Sequence, residues 1–165
     1  MHTRLLSPRN GPTLLVRPLA NGDVESVRAV FAQLSPESRR ARFNGPKPCL
    51  STSELEQLAT IDSSRHALLA YVEGNERPIA IARLARESRD RAEIAFAVAD
   101  AHQHRGIGSA LAAELIADAR AAGITEITAL TSSDNPAALA LLRRTTSVLD
   151  ITFEGPALSV RAAIA

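Results

Sequence analysis

The chain has 165 residues, 45% hydrophobic and 22% charged, with a formal net charge of +1 at pH 7. That length fits one domain with a sizeable core and would cramp two, and the composition is that of a soluble globular protein. Near neutrality excludes a global attraction to nucleic acid or to anionic membranes, and four Phe, one Tyr and no Trp leave few platforms for stacking unpaired bases. The single cysteine, Cys49, excludes an internal disulfide and a cysteine-based zinc cluster. It has no adjacent His or Asp pattern, so it reads as structural, and no metal site is expected. The N-terminal stretch is basic but short of apolar runs and is interrupted by Pro8 and Pro12, so neither a signal peptide nor a membrane span is expected. The chain reads as cytoplasmic.

After a Pro/Gly-containing lead, Thr13 to Leu19 reads as a strand. Asp23 is placed to cap a helix whose residues Val24, Val27, Val30, Phe31 and Leu34 share one face. Ser35-Pro36 restarts the chain into a short basic helical piece with Arg39, Arg40 and Arg42 before Phe43, ended by Asn44-Gly45-Pro46. Ser51 with Glu54, or Ser53 with Glu56, then matches a capping box opening a helix through Leu55 and Leu58. Three strand-like runs follow, Ala67–Val72, Pro78–Ala85 and Ala92–Ala99, whose short polar connections predict an antiparallel meander. A helix from Gly106 to about Ala122, a strand from Ile124 to Thr131, a helix from Pro136 to Arg144 and two strands around Gly155-Pro156 complete the chain. The order β-α-α-β-β-β-α-β-α-β-β predicts one α/β domain, residues 1–165, with a mixed, mostly antiparallel sheet flanked by helices.

The chemistry concentrates where Ile94, Phe96 and Val98, alternating with alanines, run into Gln103-His104-Arg105-Gly106-Ile107-Gly108 and then into a helix packed through Ile107, Leu111 and Leu115. A helix N-terminus leaves about four backbone N–H groups unpaired and carries roughly half a positive charge. Gly106 and Gly108 let those amides approach an anion, and Arg105 adds a cation, so the expected ligand is a diphosphate. A dinucleotide fingerprint needs a third glycine where Leu111 stands, and a P-loop needs Gly-Lys-Ser/Thr, which is absent. What remains resembles the coenzyme A signature of the GNAT acetyltransferases, Gln/Arg-x-x-Gly-x-Gly/Ala, at Gln103, Gly106 and Gly108. Asn135, Ala138 and Leu141 resemble the Asn-x-x-Ala-x-x-Leu of the family's later helix, and Arg17, Pro18 and Asp23 resemble its opening, so the likeness spans about residues 13 to 162. More narrowly, AEIAFAVADAHQHRGIGSAL with LSPESRRARF is similar to the catalytic domain of bacterial protein lysine acetyltransferases. That subgroup is often joined to a cyclic-nucleotide-binding or acyl-CoA-synthetase domain, and these 165 residues carry neither. A free-standing relative, or one regulated from elsewhere, is therefore expected.

The resemblance implies acetyl-CoA as cofactor, its pantetheine arm on the backbone of Phe96, Ala97 and Val98, and its pyrophosphate on the amides of His104, Arg105, Gly106, Ile107, Gly108 and Ser109. Gln103 belongs to the same binding segment. Asn135 either bonds the cofactor arm, caps the helix before Pro136, or does both.

An amine acceptor must lose a proton before it attacks; for a lysine of pKa about 10.4 at pH 7 this costs about 4.6 kcal/mol. Glu93 is the leading general base, because it precedes the cofactor strand and is flanked by Ala92, Ile94 and Ala95, surroundings expected to desolvate it. The resemblance also places the base in this stretch. The alternative is a surface glutamate paired with Arg91 or with Arg83. His102 and His104 are weaker candidates, since the turn faces phosphate in this reading. Leu142 stands where many GNAT enzymes carry a tyrosine acid, leaving the general acid unassigned, and Thr146-Ser147 departs from the family's Gly-Phe. Arg39, Arg40 and Arg42 read either as a solvated face or as the border of an acceptor groove.

The expected activity is N-acetylation of a primary amine, foremost a protein lysine side chain, by direct attack. Small amines are the alternative acceptors, and a non-catalytic acyl-CoA sensor is the alternative from another class. A second copy of the chain, as a homodimer, is the remaining candidate partner.

Overall fold

Residues 67–71 are buried without a break, on both faces of their strand, and this double burial organises the fold. In the computed structural model, which describes residues 3–164, the elements run β1 (Arg4–Leu6), β2 (Leu14–Pro18), α1 (Val24–Phe31), α2 (Pro36–Phe43), α3 (Thr52–Ala59), β3 (Arg65–Val72), β4 (Pro78–Arg86) and β5 (Arg91–Val98). A single 3₁₀ turn (Asp100–His102) leads to α4 (Ile107–Ala121), β6 (Glu126–Ser132), α5 (Pro136–Thr145), β7 (Ser147–Glu154) and β8 (Ala157–Ala163). The strands form one sheet ordered β1-β2-β3-β4-β5-β6-β8-β7, antiparallel except for the parallel pair β5/β6. The expected α/β domain with a mixed, mostly antiparallel sheet is what folds. Among the described residues no helix is long and apolar enough to cross a membrane.

Alternation along the central strands sorts two cores. Leu68, Ala82 and Ile94 face Leu111, Leu115 and Ile116 of α4, whereas Leu69, Ile81 and Ala97 face Val27, Val30 and Leu55 of α1 and α3. Local signals set the helix ends. Asp23 accepts from Ser26 N at 3.0 Å to cap α1, and of the two capping boxes legible before α3, Ser51 with Glu54 forms in both directions. Asn44, at φ 54°, closes α2 in the left-handed region that asparagine tolerates.

Two features differ from the expected order. Three helices, not two, separate β2 from β3, because Asn44 ends α2 as a helix of its own. The lead before Thr13 contains β1, whose three residues are too few to display alternation. Arg4 ties β1 to α4 through Glu114 at 2.6 Å and Asp118 at 2.5 Å, and Asp118 also meets His66 of β3 at 2.9 Å.

Candidate active site

The parallel pair β5/β6 is short. Ladder partners run only from Arg91↔Glu126 to Glu93↔Thr128. Beyond that point β5 stays with β4 through Val98, and β6 stays with β8 through Ser132, so the two strands part. A cleft of about 590 Å³ opens between them, walled by Ile94 to Val98 on one side and Ala129 to Thr131 on the other. Among the described residues the edge of β5 from Ile94 to Val98 that faces the cleft therefore has no strand partner, leaving Phe96 and Val98 with backbone groups to offer an extended ligand, whereas the register turns those of Ala97 toward Ile81 of β4.

The Gln103–Ser109 segment closes one end of this cleft. Gly106 is the N-cap of α4 at φ 77°, and His104 precedes it at φ 59°, so the chain reverses through two left-handed residues. Among the described residues no side chain caps α4, which leaves the first-turn amides of Ile107, Gly108 and Ser109 without a side-chain acceptor. A Cβ at Gly108 would sit 3.4 Å from Leu141 Cδ1 and 3.8 Å from Val98 Cγ2, so the glycine admits α5 and β5 close to the turn. Uncapped amides at the cleft suit a diphosphate, and the residues present fit the expected cofactor. His104, Gly106, Ile107, Gly108 and Ser109 line the cleft, whereas Arg105 is exposed and lies outside its wall.

Two further residues of the expected site are engaged within the protein. Gln103 Nε2 donates to Ser38 Oγ and to Val98 O, both at 3.0 Å, tying α2 to the end of β5. Asn135 Oδ1 accepts from Ala138 N at 3.2 Å, so the cap forms; its amide nitrogen remains available at the cleft wall. Asp100 joins the same junction by accepting from Ser35 N at 2.8 Å.

Glu93 stands where β5 and β6 part, just outside the residues that line the cleft. Its expected desolvation is not met. Ala92 and Ile94 point to the opposite face and pack in the core, and the carboxylate itself is exposed. The pairing alternatives are not met either: Arg91 engages Glu87 at 3.0 Å, and among the described residues Glu93 makes no hydrogen bond or ion pair. The face it shares with Arg83 of β4 also receives Arg42 of α2, which reaches the cleft wall. Glu93 attracts both guanidiniums.

The remaining candidates sort clearly. His102 lines the cleft with Nδ1 buried and unpartnered. Leu142 is a buried part of the wall. Thr146 is the C-cap of α5, its hydroxyl donating to Leu142 O at 2.7 Å. Cys49 is exposed and lies away from the cleft. Sequence reasoning missed Thr131, whose buried hydroxyl lacks a partner at the wall, and Gly11, where a Cβ would meet Arg105 O at 2.8 Å. Gly11 thus lets the β1–β2 connection pack beneath the turn, a contact with no local signal.

Comparison with known proteins points the same way. The Acetyltransferase (GNAT) family profile matches residues 31–146. Acetyltransferase Pat of Mycolicibacterium smegmatis is 36% identical over 140 residues, 82% of this chain, and the chain spans 41% of that protein's length. Acetyltransferase PA5475 of Pseudomonas aeruginosa is 33% identical over 132 residues, covering 78% of this chain and 71% of its own. The crystal structure of the GNAT domain of S. lividans PAT superposes with a TM-score of 0.87 at 30% identity, covering 98% of this chain and 96% of that one.

Proposed function

The chain belongs to the GNAT acetyltransferase family, whose members use acetyl-CoA, and on that premise we propose that it acetylates protein lysine side chains with Glu93 as general base. The observation that carries this reading is the cleft itself: an unpaired strand edge leads from Glu93 to an uncapped helix N-terminus. Similarity to the Pat acetyltransferases supports lysine as the acceptor.

In this reading the amides from His104 to Ser109 hold the pyrophosphate, the backbone of Phe96 to Val98 aligns the pantetheine arm, and the Asn135 amide nitrogen steadies it from α5. Bound there, acetyl-CoA supplies an acyl carbon activated as a thioester. Glu93 takes the proton of the lysine ammonium at the mouth of the cleft, directly or through one water, and frees the nitrogen lone pair for attack. Being exposed, the carboxylate can exchange that proton with solvent after each turnover. Leu142 offers no proton to the departing sulfur, so the thiolate leaves unassisted or is protonated by water. A thiol of pKa about 8.5 is a fair leaving group.

The test is acceptor-dependent release of coenzyme A with lysine peptides and a panel of small amines. Glu93→Gln is expected to lower turnover by about 10²-fold or more while acetyl-CoA affinity is kept. Unchanged turnover would remove Glu93 from the mechanism. Turnover with small amines alone would move the acceptor class, and tight acetyl-CoA binding with no turnover across the panel would overturn the enzymatic reading.

A further inference from the structure

Arg42 and Arg83 come from different elements, α2 and β4, yet converge on one small apolar recess with Phe31, Phe43 and Ile81. The recess shares Leu34, Ala97 and Arg42 with the wall of the main cleft, so it opens beside the point where β5 and β6 part. Among the described residues neither guanidinium touches a counter-ion or makes a hydrogen bond or an ion pair, and Arg83 Nε is buried without an acceptor. Arg42 rests over the Phe43 ring at 4.9 Å. Two cations thus border one apolar recess, with Glu93 acting on both from outside its lining.

Both side chains are half-buried, so solvent screens their charges only in part. Burial, with the charges of Arg42 and Arg65, lowers the Arg83 pKa to about 10 despite the attraction of Glu93. Burial also lowers Arg42, again against Glu93. A planar guanidinium is suited to bidentate capture of a carboxylate. A bound anion would satisfy the orphaned donor and relieve the repulsion between the two arginines.

We propose that Arg42 and Arg83 form an anion subsite next to the reacting centre, which takes the carboxylate of an Asp or Glu lying beside the acceptor lysine. The inference rests on the lysine-acceptor reading above and narrows it to lysines with an acidic neighbour. The distal carboxylate of a succinyl thioester has the same chemistry, so the experiment separates the two sources.

Paired lysine peptides carrying Asp or Asn at each position flanking the lysine are compared with acetyl-CoA, and the Asn set is repeated with succinyl-CoA. Free glutarate is titrated calorimetrically into the protein saturated with coenzyme A. At one or more positions the Asp peptide is expected to show kcat/KM about tenfold or more above its Asn partner, carried by KM. The ratio should fall to about one in Arg42→Gln and Arg83→Met, with partial return in Arg42→Lys. Arg42 is at a half-buried helix position, so its variants keep the test open if Arg83→Met fails to fold. Glutarate should bind the wild type and not Arg42→Gln. An Arg42-dependent preference for succinyl-CoA keeps the subsite and assigns it to the acyl group. Glutarate binding without turnover of any lysine peptide would retain the subsite and end the lysine reading. Equal turnover of Asp and Asn peptides, with no succinyl preference and no glutarate binding, would overturn the subsite and leave the lysine reading standing.

Discussion

At one end of the cleft the proposed diphosphate meets the backbone of residues 104–109, a contiguous segment at the start of α4. At the other end the proposed acceptor meets Glu93, Arg42 and Arg83, side chains delivered by β5, α2 and β4. The first kind of site depends on φ angles and the absence of Cβ atoms, and it tolerates exchange of most side chains. The second depends on charge and on the register that brings distant residues to one face. Substitutions should therefore separate the two ends, failing by geometry at the first and by electrostatics at the second.

The largest effect on this comparison is expected from Gly106→Glu. The residue sits at φ 77°, where any side chain is strained, a Cβ there would lie 3.7 Å from Pro8 Cβ and 3.8 Å from Arg9 N, and the substitution adds a negative charge to the turn proposed to hold the pyrophosphate. Acetyl-CoA affinity should fall by roughly a hundredfold or more in a calorimetric titration, with the far-ultraviolet spectrum retained. Affinity kept within about threefold would mean that the turn does not cradle the phosphates.

A smaller effect is expected where the two ends touch. Gln103 spends its side-chain amide on Ser38 of α2 and Val98 of β5, so its contribution is to position α2 against the end of β5. Gln103→Ala should cost about 1–2 kcal/mol in chemical denaturation, the net worth of one or two hydrogen bonds. Acetyl-CoA affinity should change less than about tenfold, and a larger loss would show that the Gln103 side chain itself touches the cofactor.

The same division explains what the sequence discloses. The turn proposed to hold the diphosphate is legible because its signal is local: two glycines between an alternating strand and an amphipathic helix state both conformation and placement. The Ser51–Glu54 cap and the meander through β3, β4 and β5 are local in the same sense. Glu93 could be named as a candidate, but its exposure could not, because that depends on which face of β5 the core takes. Arg83 looks like any strand arginine until the register sets it opposite Ala95 and beneath α2. Gly11 supports the turn across the whole length of the intervening chain, a relation carried by tertiary packing alone.

The smallest effect tests whether the acceptor end can be loosened by protons at a point remote from Glu93. Asp100 precedes the Gln103–Ser109 turn and receives the Ser35 amide at the N-terminus of α2. Partial burial pushes its carboxyl up, but hydrogen bonds from the Ser35 backbone and hydroxyl and from Ser38 outweigh this and hold it below its ordinary value. A depressed carboxylate pKa means that its stabilisation is complete above the ordinary value, about 3.9, and is lost as pH falls through the lower folded value. Exposure and salt keep the contribution small. Asp100→Asn should therefore be slightly less stable than wild type at pH 7, and the gap should close below about pH 4. Denaturation midpoints measured from pH 7 down to pH 3 check this, and a gap independent of pH would show that the Asp100 charge does not hold α2 against the turn.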